Sequence, residues 1–255
     1  MNPAKVFPFR RPVSAAHDLR LRLLCFPYAG SSAAVYRPWV EMFGPHIEVC
    51  PVELPGRGVR TAEPLLRDMK RLCDSLLESI EELPHDVPLA LFGHSMGARL
   101  AFELACRLGS RVVHLFASGS ASPDMAPRLG GGPGSKTISQ LTDEEFRLRL
   151  RVLGGTPVEI LDDDDLMARA LPVVRADFVL VERYRAAPHA QVTVPITALR
   201  GDHDAMVDLA DAERWQLRTS AAFRILEVPG GHFFLEGQRA LVTREVARDL
   251  APLVG

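Results

Sequence analysis

The sequence predicts an α/β fold, in which helices flank a mostly parallel central sheet. Short apolar runs with the length of buried strands recur along the chain, and segments with helical hydrophobic spacing lie between them. Strands that alternate with helices need crossover connections, which make neighbouring strands parallel. With 255 residues, 47% of them hydrophobic, the chain can form one large core. We therefore expect a single domain over 1–255 that carries an insertion at about 120–187.

Six apolar runs are typical of strands and are separated by helical patterns or turns. The predicted strands lie at 21–26, 47–52, 88–92, 112–117, 194–199 and 223–228. Apolar residues at helical spacing predict helices at 33–43, 65–80, 96–108, 211–218 and 238–253. Turn-rich segments such as 27–32 and 54–58 end the first two strands.

The alternation stops between about 120 and 187. Thr142 opens a capping box for a helix that ends at Gly154 and Gly155. A second helical stretch, 165–184, contains Pro172, which should break or kink it. Helices inserted after a core strand are typical of a lid over the strand ends. The alternative is that these helices pack on the sheet like any others.

Two glycine- or charge-rich segments in this region have plain structural interpretations. The glycine run at 130–134 is predicted to be a flexible loop, because it lacks the strand, helix and Gly-Lys-[Ser/Thr] ending of a phosphate cradle. The acidic run at 162–165 precedes an apolar-periodic segment, so it indicates a helix start rather than a metal site.

Composition excludes several classes of partner. The 30 basic and 32 acidic residues give a formal charge of −2, and no basic stripe favours nucleic acid. Residues 1–14 have no apolar segment typical of an export signal, and 18 consecutive apolar residues occur nowhere. Without a C-x-x-C pair, the cysteines are interpreted as structural thiols in a reducing compartment; they are Cys25, Cys50, Cys73 and Cys106. We therefore expect a cytoplasmic protein that binds no membrane.

The segment Gly93-His94-Ser95-Met96-Gly97 lies where a predicted strand turns directly into a helix. This is the context that a G-x-S-x-G nucleophile elbow requires. A side chain at either glycine should collide with the neighbouring strand or helix, and the strained turn should expose the Ser95 hydroxyl above the sheet. Ser95 is therefore the candidate nucleophile, and His94 is expected to point away from it.

A serine nucleophile needs a base that takes its proton, and the base needs an acidic residue that orients it. In α/β-hydrolases the three residues occur in the chain order Ser, Asp or Glu, His. His232 lies just past the last predicted strand and is the candidate base. Asp202 and Asp204 both follow the strand at 194–199, so either could reach His232. The usual G-x-x-D spacing from Gly201 favours Asp204, and Asp202 would then shape the turn.

The oxyanion of an acyl-transfer reaction needs two backbone N–H donors. Met96, directly after the nucleophile, should supply one, and the loop after the first strand should supply the other. In that loop the second donor is predicted to be Ala29 or Tyr28.

With these motifs the chain resembles the type II thioesterases that serve polyketide synthases and nonribosomal peptide synthetases. The resemblance covers nearly the whole chain, although Tyr28 and Ser31 stand where many members carry His and Gly. The segments that carry it are LCFPYAG at 24–30 with Tyr36 and Trp39, ELPGRG at 53–58 with Arg60, FGHSMGA at 92–98 with AFEL at 101–104, LGGTP at 153–157, LPVVRADF at 171–178 and PGGHFF at 229–234.

The resemblance implies an α/β-hydrolase fold and the hydrolysis of acyl groups from the phosphopantetheine thiol of carrier proteins. It implies an editing role that removes stalled or misprimed chains in antibiotic-type biosynthesis. The partners would be acyl or peptidyl carrier domains, and the phosphopantetheine belongs to the substrate. No metal and no bound cofactor are implied, and the absence of an obvious pairing segment favours a monomer.

Two competing functions remain open on the sequence alone. A general carboxylesterase or an acyltransferase could use the same fold and triad, since neither determines the substrate. A non-catalytic synthase-binding protein would be expected to have a broken triad, whereas Ser95, an acidic residue and His232 are all present.

Overall fold

The computed structural model describes residues 3–10, 19–129 and 136–255. Within these ranges six parallel strands form one sheet with the order β2-β1-β3-β4-β5-β6. The strands are β1 (Leu21–Phe26), β2 (Ile47–Pro51), β3 (Leu89–His94), β4 (Val112–Ser118), β5 (Ile196–Gly201) and β6 (Phe223–Val228). All their carboxyl ends therefore lie along the same edge of the sheet.

Helices connect the strands and cover both faces of the sheet. The α-helices of the described residues are α1 (Pro3–Val6), α2 (Met69–Glu81), α3 (Met96–Leu108), α4 (Asp143–Leu153), α5 (Val158–Asp162), α6 (Asp164–Arg183), α7 (Leu209–Glu213), α8 (Phe234–Gly237) and α9 (Arg239–Val254). Short 3₁₀ helices occupy Ala33–Glu41, Gly58–Arg60, Gly109–Arg111, Ile138–Gln140 and Arg214–Arg218.

The sheet is buried between two apolar layers, and β1 contributes to both. Leu24 and Phe26 belong to the cluster formed with α2 and α3, whereas Leu23 and Cys25 belong to the cluster formed with α9. Every residue of β1 and β3 is buried. Burial on both faces explains why these strands are mostly apolar at consecutive positions and do not alternate between apolar and polar residues.

The predicted strands are confirmed to within two residues at each end, and every described strand pair is parallel. The segment predicted as a helix at 33–43 is a 3₁₀ helix, which contains Pro38 and is capped by the Ser32 side chain. The helical stretch predicted at 211–218 is divided between α7 and the 3₁₀ helix that follows it.

Between β4 and β5 the chain contains three further helices, α4, α5 and α6. They pack together through an apolar cluster that includes Phe146 and Leu150 of α4 and Phe178 of α6. The predicted capping box at Thr142 and the helix end at Gly154 are confirmed. The acidic run is a helix start, because the Asp163 side chain accepts the Leu166 N–H. The glycine run at 130–134 lies outside the described residues.

Of the break or kink expected at Pro172, the break does not occur, since α6 continues from Asp164 to Arg183 with Pro172 inside it. Proline removes one backbone donor and leaves the carbonyl of Ala168 without its helical partner. Both Pro172 and Ala168 are exposed, so water can satisfy that carbonyl and the helix persists.

Three further features concern the chain as a whole. The four cysteines are free, and three of them are buried: Cys25, Cys50 and Cys73. Among the described residues no helix is long and apolar enough to span a membrane. The same part of the chain contains no cluster of histidine, cysteine and carboxylate side chains arranged to hold a metal ion.

Candidate active site

Ser95 occupies a strained turn between the end of β3 and the start of α3. Its φ of 54° and ψ of −112° make it the sole non-glycine residue of positive φ in the described ranges. A Cβ added to Gly93 would overlap the backbone of Gly97, and one added to Gly97 would overlap the carbonyl of Phe26. The predicted collisions are thus confirmed, and the two glycines allow β1, β3 and α3 to approach closely beneath the serine.

A chain of hydrogen bonds links Ser95, His232 and Asp204. The Ser95 Oγ lies 3.0 Å from His232 Nε2, and His232 Nδ1 lies 2.8 Å from Asp204 Oδ2. With the Nδ1–H donating to the carboxylate, Nε2 is free to accept the serine proton. Strand β3 precedes Ser95, β5 precedes Asp204 and β6 precedes His232. The three loops meet at the carboxyl edge of the sheet. The arrangement can therefore generate a nucleophile at Ser95.

Asp204 is held in place by its own loop. It is buried, and its second oxygen accepts the N–H groups of Met206 at 2.8 Å and Val207 at 3.2 Å. Both carboxylate oxygens are thereby engaged, one by the loop and the other by His232. The carboxylate is fixed before any substrate arrives.

Asp202, the other carboxylate considered for this position, lies elsewhere. Its Oδ1 accepts the Gly230 N–H at 2.8 Å and lies 2.6 Å from His203 Nδ1. The Gly230 hydrogen bond, followed by the contact with His203, lowers the pKa of Asp202 from its ordinary value. Asp202 thus ties the loop after β5 to the loop that carries His232, and the structure brings only Asp204 to the histidine ring.

One candidate oxyanion donor directly follows Ser95, and the others lie in the loop after β1. As the first residue of α3, Met96 has an N–H with no acceptor within its helix. In the loop after β1, the Gly30 N–H donates to Asp177 at 2.7 Å and the Ser31 N–H donates to the Tyr28 carbonyl at 3.0 Å. Ala29 and Tyr28, which line the same cavity as Ser95, both remain candidates for the second donor.

A buried ion pair that the sequence reasoning missed holds this loop against the insertion. Arg57 donates to both oxygens of Asp177, at 2.5 and 2.7 Å, and also to the Ser31 carbonyl at 3.1 Å. Asp177, on α6, is completely buried. Because Asp177 also accepts the Gly30 N–H, one carboxylate joins three segments of the chain. The motif around Arg57 was visible in the sequence, but its partner, 120 positions away, was not.

His94 forms part of the wall behind the catalytic histidine candidate. Its Nδ1 lies 2.9 Å from Ser118 Oγ, and its ring centroid lies 5.3 Å from that of His232. Burial, reinforced by the nearby His232, lowers the pKa of His94 well below its ordinary value. The ring is therefore neutral at physiological pH and places no competing charge beside His232.

Ser95 and His232 both line two neighbouring cavities. The first, which we call the lid-side cavity, is mainly apolar and lies between the loop after β1 and the insertion; its walls include Tyr28, Leu150, Leu153, Val174, Phe178 and Phe233. The second, the side cavity, contains Arg99 and Arg128 beside apolar groups, and each of the two cavities is about 40 Å³. Larger clefts of about 530 and 480 Å³ elsewhere contain neither Ser95 nor His232.

The parallel sheet and the serine turn at its carboxyl edge define the α/β-hydrolase class. Human thioesterase 2, at 23% identity and a TM-score of 0.66, shares this fold. Within the class the chain belongs to the thioesterase domain family, whose model matches residues 21–252. Membership of this family makes the protein a thioester hydrolase.

Individual relatives cover most of the chain. Thioesterase PikA5 of Streptomyces venezuelae is 35% identical over 239 residues, which are 92% of this chain and 83% of that protein. The type II thioesterase BorB of the borrelidin biosynthetic cluster superposes with a TM-score of 0.81 at 37% identity, covering 94% of this chain and 97% of BorB. The RedJ thioesterase of the prodiginine pathway in Streptomyces coelicolor gives a TM-score of 0.81 at 36% identity, covering 98% and 94%.

Proposed function

We propose that this protein is a type II editing thioesterase of a polyketide or nonribosomal peptide pathway. Its substrates would be acyl groups bound to the phosphopantetheine thiol of carrier domains, removed when they are stalled or misprimed. The observation that carries the proposal is the hydrogen-bonded series Ser95, His232 and Asp204, which opens into the apolar lid-side cavity. The similarity to BorB supports the same class of substrate.

In the proposed reaction His232 Nε2 takes the proton of Ser95 as the hydroxyl attacks the thioester carbonyl. Asp204 keeps the Nδ1–H of the ring directed away from the serine and stabilises the imidazolium that forms. The imidazolium gives this proton to the departing sulfur, so the phosphopantetheine leaves as a thiol and an acyl group remains on Ser95. His232 then takes a proton from water as the water attacks the acyl-enzyme, and returns it to the Ser95 oxygen as the free acid is released.

The negative charge that develops on the carbonyl oxygen would be stabilised by Met96 N–H and by a second donor from Ala29 or Tyr28. The amino end of α3 lies beneath this position and adds a favourable dipole. Because a thiolate is already a good leaving group, the reaction demands less of the site than amide cleavage does. Selection among acyl groups then rests largely on access to Ser95.

We assign control of that access to the insertion at about 120–187. Helices α4 and α6 supply Leu150, Leu153, Val174 and Phe178 to the lid-side cavity. These apolar side chains form a surface suited to an acyl chain. Under this proposal the insertion acts as a lid, and the carrier domain docks at its mouth.

The side chains of the site supply all the proton transfers and the nucleophile, so the hydrolysis needs no metal or cofactor beyond the phosphopantetheine of the substrate. Free buried cysteines are typical of a reducing compartment, which supports a cytoplasmic location. We assign the working form as a monomer.

A panel of carrier proteins loaded with different acyl groups tests the proposal directly. The wild-type protein should release free acid from several of them and should prefer each thioester over the matching oxygen ester. Ser95→Ala should abolish release, whereas Ser120→Ala is the matched control, because Ser120 lines the same side cavity but donates to the carbonyl of Ala121. Activity confined to oxygen esters, with none on acyl carriers, would overturn the proposal.

A further inference from the structure

An exposed basic surface forms where α1, the 3₁₀ helix Gly58–Arg60 and the start of α2 meet. Helix α1 packs against both of the other elements, which brings its lysine close to basic residues far along the chain. Four basic side chains and one apolar side chain are exposed there, and we call this set the basic face: Lys5, Val59, Arg67, Lys70 and Arg71. Positive charge is thus concentrated on a protein whose formal net charge is −2.

The acidic residue nearest to α1 does not neutralise the basic face. Glu63 is held by Arg60, which donates to both of its carboxylate oxygens, at 2.9 and 2.6 Å. These hydrogen bonds, with a smaller contribution from the Lys5 charge, lower the pKa of Glu63. Because Arg60 already balances this carboxylate, the charge of Lys5 adds to that of the other basic residues.

At the start of α2 the carboxylates have partners elsewhere. Asp68 is the N-cap of the helix and accepts the backbone N–H of Arg71 at 2.9 Å. Asp74, one turn further along, pairs with Arg107 of α3 at 2.7 Å. Within the described residues no carboxylate forms an ion pair with the basic side chains at the start of α2. The basic face is therefore suited to a negatively charged partner.

The basic face lies at the same edge of the sheet as Ser95. Strands β2 and β3 both run parallel to β1, so α2, which connects them, begins at the carboxyl edge and returns the chain to the amino edge. Arg57, directly before the 3₁₀ helix of the face, donates to the Ser31 carbonyl at 3.1 Å and pairs with Asp177 of α6. The face therefore borders the lid-side cavity on the side of the core.

We propose that the basic face docks the carrier domain whose phosphopantetheine arm delivers the thioester to Ser95. The matching surface of the carrier would be acidic and would surround the serine that bears the arm, with Val59 as an apolar contact among the charges. The arm is joined to that serine through a phosphodiester, so every such carrier brings negative charge to this point. This inference rests on the proposed thioesterase function and assigns a surface to its partner.

The length of the arm agrees with this placement. The phosphate lies at the far end of the arm from the thioester, so the carrier must dock away from Ser95 but at the same edge of the sheet. The basic face has this position. A nucleic acid would require a longer basic stripe, whereas the chain as a whole has 30 basic and 32 acidic residues.

Lys70→Glu tests the basic face with little risk to the fold. Lys70 is the second residue of α2, where the helix dipole favours a glutamate. Arg244→Glu is the matched control, because it changes the net charge equally and Arg244 is also exposed. Arg244 lies on α9, which packs on the opposite side of the sheet from α2.

The measurement is kcat/KM for a butanoyl group on an acyl carrier domain and for butanoyl-pantetheine, which lacks both the carrier and the phosphate. Lys70→Glu should lower the carrier value by about 5- to 20-fold, mostly through KM, because a like charge then faces the partner. High salt should reduce this difference, since it screens exposed charges.

The other values serve as controls. The pantetheine value of Lys70→Glu and both values of Arg244→Glu should change by no more than about twofold. Equal losses with the two substrates, or an unchanged carrier value in Lys70→Glu, would overturn the docking role of the basic face.

A binding measurement separates this inference from the proposed function. Calorimetry on Ser95→Ala should detect the butanoyl-loaded carrier domain, with binding at least about 5-fold weaker when Lys70→Glu is added and unaffected by Arg244→Glu. If the wild type hydrolyses neither substrate but carrier binding depends on Lys70, the hydrolase proposal fails and the docking face stands. Hydrolysis of both substrates with carrier binding independent of Lys70 refutes the docking face alone.

Discussion

Arg57 and Asp177 form a bidentate ion pair that is buried between the loop after β1 and helix α6. The same carboxylate accepts the Gly30 N–H, next to the candidate oxyanion donor Ala29. The position of that donor is therefore coupled to the packing of the insertion. Asp177 acts as a positioning residue, since it reaches the reacting atoms only through the loop.

Asp177→Asn should weaken both stability and turnover. Removing one charge leaves the Arg57 guanidinium buried and unpaired, which costs about 3–5 kcal/mol of unfolding free energy. Displacing an oxyanion donor should lower kcat by roughly 10-fold or more, with a smaller effect on KM. Denaturant unfolding and steady-state kinetics on one thioester measure the two effects.

The double variant Arg57→Met with Asp177→Leu separates the effect on stability from the effect on turnover. Replacing both charges by apolar groups should restore much of the lost stability, because no unpaired charge remains. If kcat also recovers fully, the ion pair does not position the loop.

Asp204→Asn should lower kcat by about 10⁴-fold near neutral pH, because an amide favours the wrong tautomer of His232. Asp202→Asn is the matched control and should change kcat by no more than about twofold, as exposed substitutions usually do. Kinetics at pH 7 with folding checked by circular dichroism make the comparison. The reverse order of effects would transfer the orienting role to Asp202.

Gly155→Ala should impair the site more than Gly154→Ala. Both glycines have φ near +78°, a backbone conformation that L residues rarely adopt, so each alanine strains the backbone by about 1–3 kcal/mol. A Cβ at Gly155 would also overlap the ring of Phe233, whose centroid lies 5.0 Å from that of His232, whereas a Cβ at Gly154 only touches the ring. Values of kcat/KM and urea midpoints for the two variants isolate the ring contact, and equal kcat/KM values would contradict it.

The stability of the protein should decrease as pH falls from about 6.5 to about 4, partly through His114. Burial lowers the pKa of His114 from 6.5 to about 4, with Asp249 opposing and Arg224 reinforcing the shift. The unfolded chain therefore binds this proton first, and protonation favours unfolding across that interval. A single such group contributes at most about 1.4 kcal/mol per pH unit.

His114→Gln tests this contribution. At pH 7 the variant should be less stable, since His114 lies 3.0 Å from Thr197 Oγ1. The difference in unfolding free energy between wild type and variant should narrow as pH is lowered to 5, because only the wild type loses the neutral histidine. A difference that stays constant with pH would show that His114 is not the group that titrates.

The strands were predictable because each is a short segment made mostly of apolar residues, and the elbow was predictable because its five residues lie together. The ion pair of Arg57 was not, since 120 residues separate the two partners and no local pattern links them. Pro172 was expected to break or kink its helix, and it does not break it; local rules omit the exposure of the neighbouring carbonyl, which water can satisfy.

The order of the sheet has a consequence for synthesis of the protein on the ribosome. Ser95 and its strained turn are translated early, and β3 can pair with β1 and β4 as soon as these strands have emerged. The histidine that hydrogen-bonds to Ser95 follows β6, which joins the sheet only through β5. A nascent chain that ends before residue 223 lacks His232, so Ser95 has no base to take its proton and thioester cleavage begins only after β6 and its loop have been made.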